Sequence, residues 1–183
     1  MITELKDAVF LDSSLTYDGV ANGLGATAVV DGLWHLEGCI VQALCDGEVV
    51  MTDVNGDLLV VVDGKVTLAA SYTVIHVGLP YVSEIETLRL ELQDSATSLG
   101  RTKAIRKVSI LTNNSKGFEI GPTADKLSTP VEFGELAAGE LLSGEIEHRI
   151  KGDWNKNGTV IVRQTFPLPM TVQGIISFIE PSE

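Results

Sequence analysis

Few residues of this chain have the types and spacing that catalysis requires. Its three histidines, His35, His76 and His148, are scattered, and each lacks a second potential ligand at helical or hairpin spacing. Glu84 and Glu86 are two positions apart, so on a strand they share a face, where paired carboxylates can act as general acid and base. A solvated strand face explains the same pair, and a hydrolase would also need a pocket that perturbs one carboxylate. We therefore predict a protein that is not an enzyme.

One segment resembles the calcium loop of EF-hand proteins. Asp153, Asn155, Asn157 and Gly158 follow its ligand spacing, and Gln164 stands where a bidentate glutamate is needed. The loop would supply a single carboxylate, and its flanks have the composition of strands rather than helices. Because an Asn-Gly pair also closes a tight β-hairpin, the same residues are explained without an ion. We expect neither a metal nor any other cofactor.

The cysteines and the uncharged segments bear on the compartment of the protein. Cys39 and Cys45 lie six positions apart in an apolar run. A disulfide-stabilised fold would have a denser framework, so buried free thiols in a reducing compartment are the favoured interpretation. The opening residues lack a basic region ahead of an apolar stretch, and the longest uncharged runs are interrupted by polar residues or proline. The sequence predicts neither a signal peptide nor a membrane anchor.

The charge of the chain is acidic and unevenly distributed. Thirteen Lys and Arg oppose 25 Asp and Glu, a formal net charge of −12 over 183 residues. Residues 1–63 contain eleven of the acids and a single base, Lys6. A general nucleic-acid binder needs a basic surface to displace counterions from phosphates, and an anionic membrane repels such a chain, so both classes are disfavoured. We expect one strongly negative end or face.

Basic residues are concentrated in one run, which consists of Arg101, Lys103, Arg106 and Lys107. This run could contact phosphates. It could equally form ion pairs with the negative first third of a neighbouring subunit. The sequence leaves both interpretations open.

The elements expected to carry these residues are β-strands. Val, Ile and Thr account for 48 of the 183 residues, and pairs such as Asp46-Gly47, Asn55-Gly56 and Asp63-Gly64 separate apolar runs at the spacing of a sandwich or barrel. Strands are predicted at residues 38–44, 48–52, 58–62, 65–69, 72–77, 85–92, 105–112, 158–166 and 170–179. The fold class is predicted as all-β, an antiparallel β-sandwich or barrel with at most one or two short helical turns.

Helical signals are few and the domain organisation is simple. Residues 3–11 could form a short helix with Thr3 as its N-cap, and Thr97 could cap a turn that runs to about Lys103. We expect residues 1–18 to be an N-terminal lead-in and residues 19–183 to form a single β-rich domain. A long loop excursion at about 113–145 should hold short strands near 118–121 and 131–133, and such loops often serve binding or assembly.

Several longer strings carry a resemblance to a known family. They are DAVFLDSSLTYDG (7–19), DGLWHLEGCIVQALCDGEVV (31–50), GKVTLAASYTVIHVGLPYVSEIETLRLEL (64–92), GRTKAIRKVSILTNNSKGFEIG (100–121) and VRQTFPLPMTVQGIISFIEPS (162–182). In this order they resemble the C-terminal domain of tail nozzle proteins of short-tailed bacteriophages, the tail tubular protein B-like family. The resemblance covers nearly the whole chain from about residue 7, and its most specific parts are residues 35–38, 46–47, 76–81 and 86–88. In the family a larger β-rich region usually precedes this domain.

The resemblance implies a non-enzymatic virion structural protein, a component of the tail nozzle. Members of the family form a hexameric ring below the portal and adaptor, around the channel through which DNA leaves. The expected partners are copies of the chain itself and other tail proteins, namely the adaptor and a tail fibre or tip, with DNA as passing cargo that is not specifically bound. The expected location is the virion tail, after synthesis in the cytoplasm of the bacterial host.

Assembly residues follow from this hypothesis. Trp34 and Trp154 are predicted to be core or subunit-contact anchors, and the basic run is a second candidate contact. The acidic residues expected to face the channel lumen, where they would repel the DNA backbone, are Asp31, Glu37, Asp46, Asp53 and Asp57. The alternative function is a receptor- or carbohydrate-binding β-domain of a phage tail tip or adhesin, which the low aromatic content of 5% disfavours.

Overall fold

Antiparallel β-strands dominate the structure, a computed structural model that describes residues 5–89, 102–137, 139–150 and 157–181. The all-β class predicted from the sequence is confirmed. The strands are β1 (Asp12–Asp18), β2 (Thr27–Asp31), β3 (Gln42–Cys45), β4 (Glu48–Val50), β5 (Lys65–Tyr72), β6 (Val74–Leu79), β7 (Ser83–Glu86), β8 (Lys103–Ser115), β9 (Glu119–Gly121), β10 (Leu142–Arg149), β11 (Ile161–Gln164) and β12 (Val172–Pro181).

The chain divides into two compact units. Unit 1 comprises Met1–Tyr81, Ala137–Leu141 and Thr165–Pro169, and unit 2 comprises Val82–Leu136, Leu142–Gln164 and Met170–Glu183. Unit 1 carries twelve acidic and two basic residues, whereas unit 2 carries thirteen acidic and eleven basic ones. The acidity of the first third of the sequence therefore belongs to unit 1. The expected lead-in contributes β1 to this unit, and the single domain at 19–183 stays a prediction.

Two antiparallel sheets enclose the main core of unit 1. One has the strand order β1-β6-β3-β4, and the other pairs β2 with β5. Their buried side chains form a single cluster that includes Val30, Val66 and Leu68 from the smaller sheet and Ala43, Ile75 and Val77 from the larger one. Each sheet thus buries one face against the other, as in a small β-sandwich.

The larger sheet of unit 1 is also covered on its second face. Leu44 of β3 packs there with Leu5, Ala8 and Leu168. Residues 74–78 of β6 are all buried, because this strand lies inside the sheet and has apolar groups on both sides. The nearly continuous apolar run of β6 reflects burial on both faces rather than alternation.

Unit 2 is built from two further antiparallel sheets, with strand orders β10-β8-β12 and β7-β11-β9. Val108, Ile110 and Ile146 of the first sheet share a buried cluster with Ile120 and Val162 of the second. Phe118 and Phe133 complete this core in an edge-to-face contact, with ring centroids 4.7 Å apart.

Two of the predicted Asp-Gly turns are tight reversals. Asp46 and Gly47 have φ angles of 49° and 87°, and Asp63 and Gly64 have φ angles of 52° and 67°. Two successive positive φ values are the signature of a type I′ turn, whose twist matches that of the flanking strands. The first turn joins β3 to β4, and the second links Val62 to Lys65 across an isolated bridge.

Three strands, β1, β2 and β10, were not predicted. The sequences DSSLTYD of β1 and LSGEIEHR of β10 are largely polar, so an apolar-run criterion does not detect them. Conversely, the strand predicted at 58–62 forms only isolated bridges, of which the central one joins Ile40 to Val60.

Helical structure in the described residues is limited to single turns, at Leu5–Asp7, Trp34–Leu36 and α1 (Val131–Gly134). Of the helix predicted over 3–11, the described residues 5–11 form only one 3-10 turn, and the turn predicted from Thr97 lies outside the described residues. The strand predicted near 131–133 is wrong. Pro130 starts a helical turn there, in which the N–H of Phe133 donates to the Pro130 carbonyl at 3.2 Å. Within the described part of the chain, no helix is long and apolar enough to cross a membrane.

Candidate assembly surfaces

A row of exposed apolar side chains runs along residues 58–62 of unit 1. Leu59 and Val61 point into the core, where their side chains are fully buried. Leu58 (57% exposed), Val60 (40%) and Val62 (60%) alternate with them and point to solvent. An uninterrupted run of five apolar residues has only one buried face here, so three large side chains remain uncovered.

Ile40 extends this row onto the neighbouring segment. The N–H of Val41 donates to the Leu59 carbonyl at 2.9 Å, and the N–H of Val61 donates to the Cys39 carbonyl at 3.1 Å. These bonds place Ile40 directly opposite Val60, on the same side, and Ile40 is also exposed. The four residues Ile40, Leu58, Val60 and Val62 are called the unit 1 face below.

An open cleft of about 620 Å³ adjoins the unit 1 face. Its lining residues are Asp53, Leu58, Leu59, Val60, Val62, Asp63, Lys65 and Thr67. The cleft therefore combines apolar walls with two carboxylates and one ammonium group.

Trp34 is also exposed on unit 1, at 65%. Its indole ring covers Gly64, since a Cβ atom on that glycine would come within 2.5 to 2.8 Å of three ring carbons. Of the two roles predicted for Trp34, the core role is wrong because the ring lies on the surface. The subunit-contact role stays a prediction.

The carboxylates of Asp46 and Glu37 are bonded to the backbone of turns. Asp46 accepts hydrogen bonds from the N–H and hydroxyl of Thr73 and from the N–H of Val74, at 2.6 to 3.0 Å. Partial burial alone would raise the pKa of Asp46, but these bonds and the charge of Lys6 hold it below its usual value. Glu37 accepts hydrogen bonds from the N–H groups of Asp63 and Gly64 at 2.9 and 2.7 Å. These bonds stabilise the type I′ turn that the two residues form.

The other acidic residues of the predicted set also lie at turns or strand ends. Asp53 accepts from the N–H groups of Asn55 and Asp57 at 2.8 and 3.0 Å. Burial would raise the pKa of Asp53, and these hydrogen bonds lower it overall. Asp31 forms a 3.0 Å ion pair with Lys65, whose hydrogen bond lowers the pKa of that carboxyl. Asp57 is exposed, and its carbonyl accepts from the N–H of Asp53 at 2.8 Å.

A second exposed apolar patch lies on unit 2, on the outer side of the sheet β10-β8-β12. Leu111 of β8 and Ile176 and Phe178 of β12 are exposed there, while Val108 and Ile110 of β8 point into the core. The three exposed residues Leu111, Ile176 and Phe178 are called the unit 2 face below. Alternation along a strand separates the two sets of residues.

Charged residues border the unit 2 face. The Lys107 ammonium lies 4.3 Å from the centre of the Phe178 ring and forms a 2.7 Å ion pair with Glu147. Lys107 is also the cross-strand neighbour of Arg149, which is exposed. Glu145 adds a carboxylate, which accepts a hydrogen bond from the Ser109 hydroxyl.

The basic run divides into residues with different surroundings. Lys107 is half-buried at the unit 2 face. Arg106, the preceding residue of β8, is exposed. The side chain of Lys103 is only 1% exposed, so the structure does not support its predicted role as a contact residue. Arg101 and Trp154, the remaining assembly candidates, lie outside the described residues.

Of the two catalytic candidates, Glu84 is engaged in an ion pair. Glu84 accepts hydrogen bonds from the guanidinium of Arg163, its cross-strand partner, at 2.5 and 2.6 Å. Glu86 lies two positions from Glu84 on β7, so the two share a face of the strand, as the sequence predicts. The cross-strand partner of Glu86 on β11 is Ile161.

The two buried histidines also have hydrogen-bond partners. In His76, Nε2 donates to the Lys6 carbonyl at 2.6 Å and Nδ1 lies 2.7 Å from the Thr16 hydroxyl. His148 contacts the Ser128 hydroxyl at 2.8 Å through Nε2. Burial lowers the pKa of His148, and the nearby Glu132 only partly opposes that change. The third histidine, His35, lies at the surface and contacts the Ser13 carbonyl at 2.8 Å.

Neither the cysteines nor the calcium-like segment forms a reactive site in the described residues. Cys45 is a buried free thiol, as predicted, and burial together with Asp46 and Glu48 raises its pKa to about 12. Cys39 is also free but only half-buried. Gln164 lies in β11 and its amide donates to the Lys116 carbonyl at 2.7 Å, while Asp153 and Asn155 lie outside the described residues.

Comparisons with models of known protein families and with curated proteins give no match. The resemblance to phage nozzle proteins therefore stays a prediction. Sequence reasoning singled out Trp34 and the acidic turns but missed both apolar faces. The signal for the unit 1 face was present in the run LLVVV at 58–62, which is apolar at every position and thus leaves one side uncovered on a half-buried strand.

Proposed function

We propose that this chain is a non-enzymatic structural component of a bacteriophage tail, which assembles with copies of itself into a ring around the DNA exit channel. The resemblance noted above suggests a hexamer, with the adaptor and a tail fibre or tip as neighbours and the virion as location. DNA would pass through the ring without being bound.

The observation that carries the self-assembly in this proposal is the presence of an exposed apolar face on each unit, while the place in a phage tail rests on the resemblance. Monomeric proteins rarely leave several large apolar side chains uncovered side by side, and such patches commonly mark sites of protein association. The candidate acid-base and nucleophilic groups support the same conclusion. Glu84 is ion-paired, and the Cys45 thiol is buried with a raised pKa. An assembling protein needs complementary surfaces rather than convergent reactive groups.

The acidic residues have a second role in this proposal. Four of the five predicted residues are exposed, namely Asp31, Glu37, Asp46 and Asp57, and Asp53 is half-buried. Their charges therefore reach the solvent, although several of these carboxylates also accept hydrogen bonds from turns. Lining a channel, they would repel the DNA backbone and keep its passage free of adhesive contacts. A ring with these five residues on its outer surface would contradict this part of the proposal.

The proposal is tested by measuring the mass of the native assembly and by imaging particles that contain the chain. We expect a closed oligomer by native mass spectrometry and a ring of matching diameter on the tail axis in electron micrographs. A chain that stays monomeric at all concentrations and is absent from particles would overturn the proposal.

A second candidate function, binding of a carbohydrate or receptor, is favoured by one observation. The exposed ring of Trp34 covers Gly64, which stands between the cleft-lining residues Asp63 and Lys65. An exposed aromatic ring is a platform on which a sugar can stack. Binding on a glycan array that is lost in Trp34→Ala, and kept in the control Tyr81→Ala at another exposed aromatic residue, would establish this function.

A further inference from the structure

We infer that the unit 1 face of one copy docks onto the unit 2 face of a second copy, in a head-to-tail contact. This inference rests on the proposed function, since it names the surfaces through which copies of the chain associate. The residues of both faces are exposed in a single copy, and no other part of the described residues covers them.

The apolar groups of the two faces are matched in character. Leu58 and Val62 of the first are 57% and 60% exposed, and Ile176 of the second is 58% exposed. The unit 1 face is aliphatic and the unit 2 face adds the ring of Phe178. Removing such branched and aromatic side chains from water is the main driving force of association.

Charge selects the pairing between unlike faces. Glu37, Asp53, Asp57 and Asp63 belong to the segments that carry the unit 1 face, where Lys65 is already paired with Asp31. Two copies of this face would bring like charges together, which is unfavourable.

The unit 2 face presents cations for the same contact. Lys107 and Arg149 are cross-strand neighbours at its border, where the carboxylates of Glu145 and Glu147 also lie and Lys107 is ion-paired with Glu147. The mixed rim of this face therefore offers cations to the acidic unit 1 face, whereas a second unit 1 face offers only further carboxylates and the paired Lys65.

A contact between two different surfaces has a geometric consequence. Each copy keeps one free face of each kind after it binds a neighbour, so the contact repeats along a series of subunits. Such a heterologous contact closes into a ring when its rotation divides a full turn, and otherwise continues as a filament.

The test uses two substitutions that leave the charge unchanged, Leu58→Asn in the unit 1 face and Ile176→Asn in the unit 2 face. Matched controls are Val20→Asn in unit 1 and Val131→Asn in unit 2, both at residues 73% exposed and outside the two faces. In sedimentation velocity, each face variant should raise the concentration needed for assembly by about tenfold or more, whereas the controls should assemble like the original chain.

Mixing the two face variants distinguishes the head-to-tail contact from other arrangements. Each variant retains the face that the other has lost, so an equimolar mixture should form dimers with one copy of each and nothing larger. If one variant assembles normally by itself, or if the mixture stays monomeric, the inferred contact is wrong. Circular dichroism of each variant verifies that it is folded.

A measurement on the unsubstituted chain tests the same contact without relying on the folding of the variants. Copies labelled with ¹⁵N are mixed with unlabelled copies and treated with a carbodiimide, which joins a carboxylate directly to an amine. We expect mixed-isotope peptides that link Asp57 or Asp63 to Lys107, and intermolecular links confined to other residues would contradict the contact. A ring that persists in both face variants would overturn this inference and leave the proposed tail function intact.

Discussion

At the scale of single residues, several acidic side chains in unit 1 accept hydrogen bonds from the backbone of their own chain. Glu37, Asp46 and Asp53 each accept two or more hydrogen bonds from backbone N–H groups of turns. A carboxylate is a strong acceptor for such groups, which cannot find partners inside a tight turn. The first third of the sequence is acidic in part because it has many turns.

Asp46 provides a direct test of this structural role. Asp46→Asn should lower the free energy of unfolding by about 1 to 2 kcal/mol, because an amide oxygen is a weaker acceptor for the bonds from Thr73 and Val74. The control Asp57→Asn, at an exposed turn residue, should change it by less than about 0.5 kcal/mol. Urea unfolding at neutral pH measures the change in unfolding free energy for both variants. Equal changes would contradict the structural role of Asp46.

Because the pKa of Asp46 is lowered in the folded state, the stabilisation that its carboxylate provides depends on pH. A carboxyl whose folded pKa lies below its unfolded value stabilises the fold above that unfolded value, near 3.8, and this stabilisation is lost as the pH falls through the folded pKa. The difference in stability between the original chain and Asp46→Asn should therefore shrink as the pH is lowered through the acidic range below about 4. A difference that stays constant with pH would exclude a role for the charged form.

His148 should make unit 2 sensitive to mild acid. Its pKa is lowered by burial, so the neutral imidazole fits the fold, and its contribution is fully present above the unfolded value of 6.5. As the pH falls below that value through the folded pKa, protonation of the unfolded chain reduces the free energy of unfolding. We expect this slope between about pH 7.5 and 5 to be weaker in His148→Gln, and to be retained in the control His35→Gln.

At the scale of elements, local turn chemistry was predictable and strand pairing was not. Asp46-Gly47 and Asp63-Gly64 form the reversals expected from their residue types, since both positions need positive φ values that aspartate and glycine tolerate. The partner of each strand depends on contacts between distant residues. β1, for example, pairs with β6 across some 60 positions, and its own sequence is too polar to indicate a strand.

Gly64 tests the packing of Trp34 on its turn. Gly64→Ala should destabilise the fold by about 2 kcal/mol or more, because the new methyl group meets the indole ring and the φ angle is positive. The control Gly56→Ala also has a positive φ but open space around it, and should lose only about 1 kcal/mol.

A double substitution separates the two causes. In Trp34→Ala/Gly64→Ala the clash is absent, so the effect of Gly64→Ala should fall to that of Gly56→Ala. Thermal unfolding of the original chain, Trp34→Ala, Gly64→Ala and the double variant gives this comparison as a double-mutant cycle. Strict additivity of Trp34→Ala and Gly64→Ala would contradict the contact.

At the scale of the whole molecule, charge is separated between two units. Unit 1 has twelve acids and two bases, and unit 2 is nearly balanced. Such a distribution favours contacts between unlike units of different copies and disfavours lasting contact with polyanions.

The behaviour towards DNA follows from this distribution. In fluorescence anisotropy with duplex DNA at about 150 mM salt, we expect a dissociation constant weaker than about 10⁻⁴ M, the upper end of ordinary non-specific binding. Asp57→Asn/Asp63→Asn, which removes two exposed charges, should bind slightly better at low salt. Tight binding by the original chain that weakens steeply with salt would contradict the role of DNA as unbound cargo.

The sequence by itself determined the all-β class and the sites of tight reversal, because residue types set the local φ and ψ preferences and the apolar content. It also located the acidic charge and the burial of Cys45. Only the tertiary structure decided which apolar side chains stay exposed. Val60 and Val61 are chemically identical neighbours, yet one is 40% exposed and the other is buried, because the core covers a single side of their segment. The unit 1 and unit 2 faces therefore exist only once distant strands have paired.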